Sequence, residues 1–384
     1  MACSDDRTVT FYQDESFPVF SRCTKGVSLK SSSVAAVGLL LTASTGVVQH
    51  QDATRSALHA AITQQSQAPA RSAWKVPRTP DGRPDLQGVW ISRSATPLER
   101  PKQLEGRQFL TPEEVATLKS RAQKIFAGGN SDFGAGDAVF LAALGSVEQF
   151  KNPGSTENSV GMIEREFDNR TSLITDPPDG RIPPVTAEAR QRQAAAAAAR
   201  PRFATGPEDF LISYRCITTG MPKLGGLYGS GHFGYYQIVQ TPHHVMIEME
   251  TIHDARIIPL DGRPHLPSTS RLWHGDSRGR WEGDTLVVDT TNFSPKSNFM
   301  GSAENLHLVE CFTRVAVDTI NYEMTFEDAT TWTRPWTAMI PLKQTPDRVF
   351  EFACHEGSRL TMQSMLAAAR ADEKAAEEAA KQKE

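Results

Sequence analysis

The strand pattern of this chain is clearest in residues 257–293, IIPLDGRPHLPSTSRLWHGDSRGRWEGDTLVVDTTNF. The pair Gly283-Asp284 predicts a tight turn, and the following residues 285–289, TLVVD, have the β-branched composition of a half-buried strand. The stretch therefore favours antiparallel strands that follow one another along the chain as a meander.

The same alternation of apolar and polar residues continues over much of the chain after position 234. It predicts hairpins over 235–250 and 271–282, and further strands over 306–315, 320–328, 332–342 and 348–355. Strands at intervals of about ten residues, joined by short turns, predict a mainly β fold. We expect an antiparallel meander that closes as a lipocalin-like barrel or forms a two-sheet sandwich.

Helical signals dominate the region before the strands, which we expect to be a helical and loop-rich extension. Thr111-Pro112 with Glu114 predicts a helix start, and Thr186 predicts the start of a second, surface helix. Residues 130–161 are rich in Gly, Asn and Ser and predict a mobile loop or lid. The predicted divisions are a leader (1–50), a linker (51–73), a helical and loop-rich part (74–230), a β domain (231–370) and a charged tail (371–384).

An apolar run at residues 34–48, VAAVGLLLTASTGVV, lies within the leader. Its length is typical of a signal peptide and falls short of the ~20 residues of a membrane span. Translation from near Val27 would give a compact signal, and the alternative is a buried N-terminal helix. We therefore predict a periplasmic or secreted protein without a membrane span.

Composition bounds the class of protein and its partners. The chain has 384 residues, of which 39% are hydrophobic and 22% charged, so it can bury a large core. Its formal net charge of -4 and the lack of a Lys/Arg-rich block argue against nucleic acid as a partner. No pattern predicts the oligomeric state.

The cysteines after the leader are Cys216, Cys311 and Cys354. Cys311 falls inside an apolar strand pattern, which predicts a small core residue. The favoured disulfide joins Cys216 to Cys354 in an oxidising compartment. Three unpaired buried thiols are the alternative.

A Pro-flanked Asp-Gly-Arg turn recurs at residues 81–83, 179–181 and 261–263. In such a turn Asp bonds its own backbone and Gly supplies a positive φ, so the repeat is one of turn chemistry. Zincin, P-loop and Rossmann motifs are absent. No metal-ligand spacing relates the four candidate ligands His253, Asp254, His307 and His355. We predict neither a cofactor nor a metal.

Six motifs carry a resemblance to a known family: TPDGRPDLQGVW, RTSLITDPPDGRIPP, HDARIIPLDGRPHLP, GDSRGRWEGDTLVVDTTNF, ENLHLVECFTR and TTWTRPWTAMIPL. Together they resemble the recurring motifs of a large family of exported bacterial proteins, over residues 75–370. The resemblance implies a shared fold and export, and it carries over no catalytic residues. Cys311 stands where such sequences typically have Arg.

The face of the strand on which each ionisable residue falls indicates the candidate catalytic residues. Alternation along 245–258 places His253 on the apolar, inward face and Arg256 on the other face. His307 and Glu310 fall on opposite faces of their strand, and Asp328 ends an inward apolar face. A carboxylate at the mouth of an apolar cavity would have a raised pKa and could act as a general acid or base. The predicted catalytic residues are His253, Asp328, His307 and Glu310, and the predicted ligand-binding residues are Trp332, Trp336, Phe326, Tyr322 and Arg256.

Each candidate also has a structural explanation: a hydrogen-bonded core His, a turn-forming Asp328, or Trp side chains that fill the barrel. Asp276 and Asp284, each beside a Gly, are predicted turn residues. The leading hypothesis is an exported, cofactor-independent lyase (dehydratase), hydratase, isomerase or cyclase. It would use His and carboxylate acid–base chemistry on a small apolar or amphipathic molecule. The alternatives are a periplasmic binding or carrier protein without turnover, and a carbohydrate-binding or surface assembly module.

Overall fold

The computed structural model describes residues 74–127, 136–145, 166–218 and 234–382. The predicted leader and linker, and most of the predicted loop at 130–161, lie outside the described residues. The strands are β1 (Gly88–Ser92), β2 (Ile174–Asp176), β3 (Tyr235–Gln240), β4 (His244–Met249), β5 (Asp254–Pro259), β6 (Asp276–Glu282), β7 (Thr285–Thr291), β8 (His307–Ala316), β9 (Thr319–Glu327) and β10 (Trp336–Thr345). The helices are α1 (Pro112–Ala127), α2 (Gly136–Leu144), α3 (Ala187–Ala198) and α4 (Cys354–Lys381), with 3₁₀ turns at Lys102–Leu104, Pro207–Asp209 and Thr251–His253.

The strands form one antiparallel sheet in the order β5-β4-β3-β1-β10-β9-β8-β7-β6, and β2 pairs with β10. The sheet curls until its two edge strands approach each other. A Cβ atom at Gly279 in β6 would lie only 2.8 Å from Cγ2 of Ile258 in β5. The predicted mainly β, antiparallel fold is confirmed, as a sheet that is nearly closed into a barrel.

Apolar side chains from most strands meet inside the curled sheet. The residues that form this core include Trp90, Ile238, Ile247, Leu286, Leu308, Ile320, Met324 and Ile340. A smaller cluster, which includes Leu118 of α1 and Phe140 of α2, lies in the helical part. Both helix starts predicted from the sequence carry the expected hydrogen bonds. Thr111 Oγ1 accepts from the backbone N–H of Glu114, and Thr186 Oγ1 accepts from that of Ala189.

Two strand predictions are wrong. Residues 276–282 form the single strand β6, which pairs with β7 along its whole length. Gly279 lies within this strand and does not form a turn. Glycine is needed at this position because the close approach of β5 leaves no room for a side chain. Residues 348–353 are not a strand: Phe350 is 70% exposed, and α4 begins at Cys354. A short strand predicted from the sequence at residues 86–90 is confirmed as β1, whereas β2 comes from the part of the chain that was predicted to be helical and loop-rich.

The predicted disulfide is confirmed. Cys216 bonds Cys354, with 5.8 Å between their Cα atoms, and the bond ties the start of α4 to the segment that precedes β3. Cys311 is buried in β8. Within the described ranges, no helix combines the length and the apolar run that crossing a bilayer would need.

Candidate functional site

The connection between β4 and β5 changes which residues face the core. Ile252 and His253 have positive φ angles of 60° and 54°, and this turn breaks the alternation of the two strands. After it, Arg256 is buried while Ile257 is 70% exposed. The predicted inward position of His253 is therefore wrong, because the kink exchanges the faces and leaves this side chain exposed.

Arg256 forms a buried ion pair with Glu310 of β8. Its NH1 and NH2 groups donate to Glu310 Oε2 and Oε1 at 2.6 and 2.9 Å, and Tyr322 donates its hydroxyl to Oε1. Burial lowers the pKa of Arg256, but the adjacent carboxylate outweighs this effect and the pKa is raised. Burial also raises the pKa of Tyr322 well above its usual value. Three predicted site residues thus meet, although Arg256 was predicted on the outer face.

An open cleft of about 560 Å³ lies where the two edge strands of the sheet approach each other. It is named the seam cleft. Its walls come from β5, from β6 and from the connection between them. The lining residues include the apolar Ile257, Leu266, Leu272 and Trp273 and the polar Arg256, Arg263, His274, Asp276 and Arg278.

Among the described residues, His274 is the one histidine in the lining of the seam cleft, and it has a buried carboxylate beside it. Its Nε2 atom lies 3.4 Å from Asp254 Oδ1 and 2.9 Å from Thr218 Oγ1. The Thr218 hydroxyl in turn donates to Asp254 Oδ2 at 2.7 Å. Nδ1 of His274 makes no hydrogen bond within the described residues. The arrangement is that of a histidine oriented by a carboxylate, with its second ring nitrogen left for a ligand.

A series of hydrogen-bonded ionisable groups leads from the cleft over the outer face of the sheet. Asp276 Oδ2 contacts His265 Nδ1 at 3.0 Å, and His265 Nε2 contacts Asp289 Oδ1 at 2.9 Å. Asp289 Oδ2 contacts His307 Nε2 at 3.0 Å, and His307 Nδ1 contacts Glu327 Oε2 at 2.9 Å. Both ring nitrogens of His307 are thus occupied, and this predicted catalytic residue lies away from the lining of the seam cleft.

Two carboxylates of this series, Asp289 and Asp276, have a lowered pKa. Burial raises the pKa of Asp289, but hydrogen bonds and charge from His307 and His265 outweigh it and the pKa is lowered. For Asp276, the Leu266 N–H, His265 and Arg278 outweigh burial in the same way. The prediction that Asp276 only forms a turn is wrong, because it begins β6 and lines the cleft. Asp284 does lie in a turn, where it pairs with Arg78 at 2.7 Å.

Asp328 is held by hydroxyl groups at the end of β9. Ser302 and Thr331 each donate to its Oδ2 at 2.6 Å, and Thr330 donates to Oδ1. Burial raises its pKa, but these hydrogen bonds outweigh it and the pKa is lowered. The predicted rise toward neutrality is therefore wrong. Asp328 also accepts backbone hydrogen bonds from Thr331 and Trp332 through its carbonyl, as a turn former does.

The predicted aromatic ligand wall lies in the core. Phe326 and Trp336 stack with 4.2 Å between ring centroids, and Phe299 stacks on Phe326 at 4.7 Å. Trp332 meets Trp336 edge-to-face at 5.6 Å. Phe326, Trp332 and Trp336 are all buried, so they fill this end of the sheet.

The sequence assigns neither His274 nor Thr218 to a site, and it indicates Asp254 only as a possible metal ligand. They lie in separate segments without a local motif, and only the kink at Ile252 turns Asp254 inward. Within the described residues, no group of three or more His, Cys, Asp or Glu is arranged to hold a metal ion.

Comparisons of the chain with protein-family models, curated proteins and solved structures find no match. Membership of the family of exported proteins stays a prediction.

Proposed function

We propose that this protein is an enzyme that uses histidine–carboxylate acid–base chemistry on a small molecule bound in the seam cleft. The observation that carries the proposal is His274, which lines the cleft and has Asp254 buried against its Nε2 side. This pair replaces His253 and Asp328 as the centre of the predicted chemistry.

The geometry assigns a role to each ring nitrogen of His274. If Nε2 carries the proton of the neutral ring, it faces Thr218 and Asp254, and the lone pair of Nδ1 is free to accept a proton from a substrate. The charge of Asp254 then stabilises the resulting imidazolium, as in other histidine–aspartate pairs. The imidazolium can return the proton to another atom of the substrate.

A group that removes and returns one proton fits elimination, hydration or isomerisation. These reactions move no net electrons to an external acceptor, in keeping with the predicted lyase or isomerase. The cleft walls favour an amphipathic substrate, because Leu266, Leu272 and Trp273 face it together with Arg263 and Arg278. The disulfide supports an oxidising compartment, and hence export.

A carrier protein would use the same cleft without turnover, so the test must separate binding from reaction. The full chain is incubated with a metabolite extract, and mass spectrometry follows compounds that disappear and compounds that form. His274→Gln should slow the conversion by ~10²-fold or more, because it removes the proton acceptor. Asp254→Asn should slow it less and shift its pH profile.

The matched control is His243→Gln, which changes an exposed histidine in the β3–β4 turn. It should leave both conversion and melting temperature at the wild-type value. Equal conversion by wild type and His274→Gln would refute the acid–base role. A compound that is retained and recovered unchanged from both proteins would support the carrier instead.

A further inference from the structure

A second cleft, of about 480 Å³, lies beside the Asp179-Gly180-Arg181 turn, and it shares no lining residue with the seam cleft. It is named the Arg100 cleft. Its polar lining consists of Arg100, Glu105, Gln108, Asp179 and Arg181. Two of these side chains are cations, and this copy of the Asp-Gly-Arg turn has no part in the proposed chemistry at His274.

Among the described residues, Arg100 is a buried cation without a carboxylate partner. Its side chain belongs to a residue that is only 4% exposed. Nε donates to Thr171 Oγ1 and NH1 donates to the carbonyl of Pro178, both at 2.9 Å. The described residues place no acidic group within ion-pair distance of this guanidinium. A buried charge is costly unless it is paired, and three of the five N–H groups of Arg100 have no acceptor within the described residues.

The turn above Arg100 is packed differently from its two copies elsewhere in the chain. A Cβ atom at Gly180 would lie 2.9 Å from Arg100 NH2 and 2.5 Å from Ser172 Oγ. At Gly82 and Gly262, a Cβ atom would meet nothing within 4 Å. Only this copy of the turn closes onto a buried guanidinium, so its arginine is brought to the same cleft as Arg100.

We propose that the Arg100 cleft binds a small oxyanion, a carboxylate or phosphate group, between the guanidinium groups of Arg100 and Arg181. Paired N–H donors of this kind match the oxygens of such groups in both spacing and charge. Glu105 and Asp179 in the same lining would repel a highly charged ligand. The cleft therefore suits a ligand with a single oxyanion group.

The test titrates inorganic phosphate and, separately, acetate into the full chain with 15N-labelled arginine. The side-chain Nε–Hε signals of Arg100 and Arg181 should shift in a saturable way. Arg181→Gln should weaken binding ~10-fold or more, the effect of losing one charge-assisted contact. The matched control is Arg83→Gln in the first copy of the turn, which should bind as the wild type does.

The two anions identify the source of the ligand group: saturation by phosphate alone indicates a phosphate compound, and saturation by acetate alone indicates a carboxylate. Arg181→Gln is the deciding variant, because that side chain lies at the surface of the turn and is not buried, so its replacement should leave the fold intact. Absence of saturable shifts with both anions, or wild-type affinity in Arg181→Gln, would overturn the proposal.

Discussion

Replacing Glu310 with Leu should strongly destabilise the protein. Glu310 is 0% exposed and accepts two hydrogen bonds from Arg256 and one from Tyr322. The substitution leaves the guanidinium of Arg256 buried without its counter-ion, a change that costs ~3–5 kcal/mol in other buried pairs. We expect the free energy of unfolding to fall by at least that amount, because the Tyr322 hydroxyl loses its acceptor as well.

The double variant Arg256→Met/Glu310→Leu distinguishes the contribution of the ion pair to stability from that of the packing around it. Both charges are then gone, and the remaining loss is that of the Tyr322 hydroxyl, ~1–3 kcal/mol. The double variant should therefore be more stable than Glu310→Leu alone. The coupling between the two positions should be on the order of 2–3 kcal/mol.

Urea unfolding followed by circular dichroism measures these differences. Glu248→Gln is the matched control, because it changes a carboxylate of β4 that has no ion pair among the described residues and should alter stability by less than ~0.5 kcal/mol. A loss in Glu310→Leu no larger than that of the control would refute the reasoning. So would a double variant whose loss equals the sum of the two single losses.

Asp328→Asn should weaken the fall in the free energy of unfolding at acid pH. The folded pKa of Asp328 is lowered, so this carboxylate contributes its full stabilisation above its unfolded pKa of about 4. That stabilisation is lost as the pH falls through the folded pKa. Urea midpoints measured at successive pH values test this, and a wild-type acid slope in Asp328→Asn would contradict it. The double variant Cys216→Ser/Cys354→Ser should lose ~2–5 kcal/mol of stability, because the bond closes a long loop in the unfolded chain. A melting temperature equal to that of the oxidised wild type would rule this out.

The fold could be predicted because most of its strands show a local alternation of apolar and polar residues. In β7, Leu286 and Val288 face the core as the period of two requires, and the turn at Gly283 has its expected positive φ. The site could not be predicted in this way, because alternation fails where the backbone kinks. Two positive-φ residues before β5 exchanged its faces, which moved His253 out and Arg256 in.

The buried Arg256–Glu310 ion pair could have been predicted only by comparing the inward faces of β5 and β8. Glu310 sits among Leu308 and Phe312 on an apolar face of β8, which requires a cation opposite it. Its partner was assigned to the wrong face. His274 and Asp254 carry no comparable signal, because nothing in the sequence itself indicates that their segments meet.

The position of β1 has a consequence for the order in which the chain can fold. Strands β3–β5 are neighbours in sequence, as are β6–β10, and each set can pair as soon as it is made. The short strand β1 joins the two sets: Val89 pairs with Gln237 on one side and with Thr345 on the other. Strand β1 can pair with β3 once that strand is made, but its other edge has no partner until β10, the last of these strands, is synthesised. Folding should therefore end with the pairing of β1 and β10, a slow step set by loop closure, and two half-sheets with open edges should precede it.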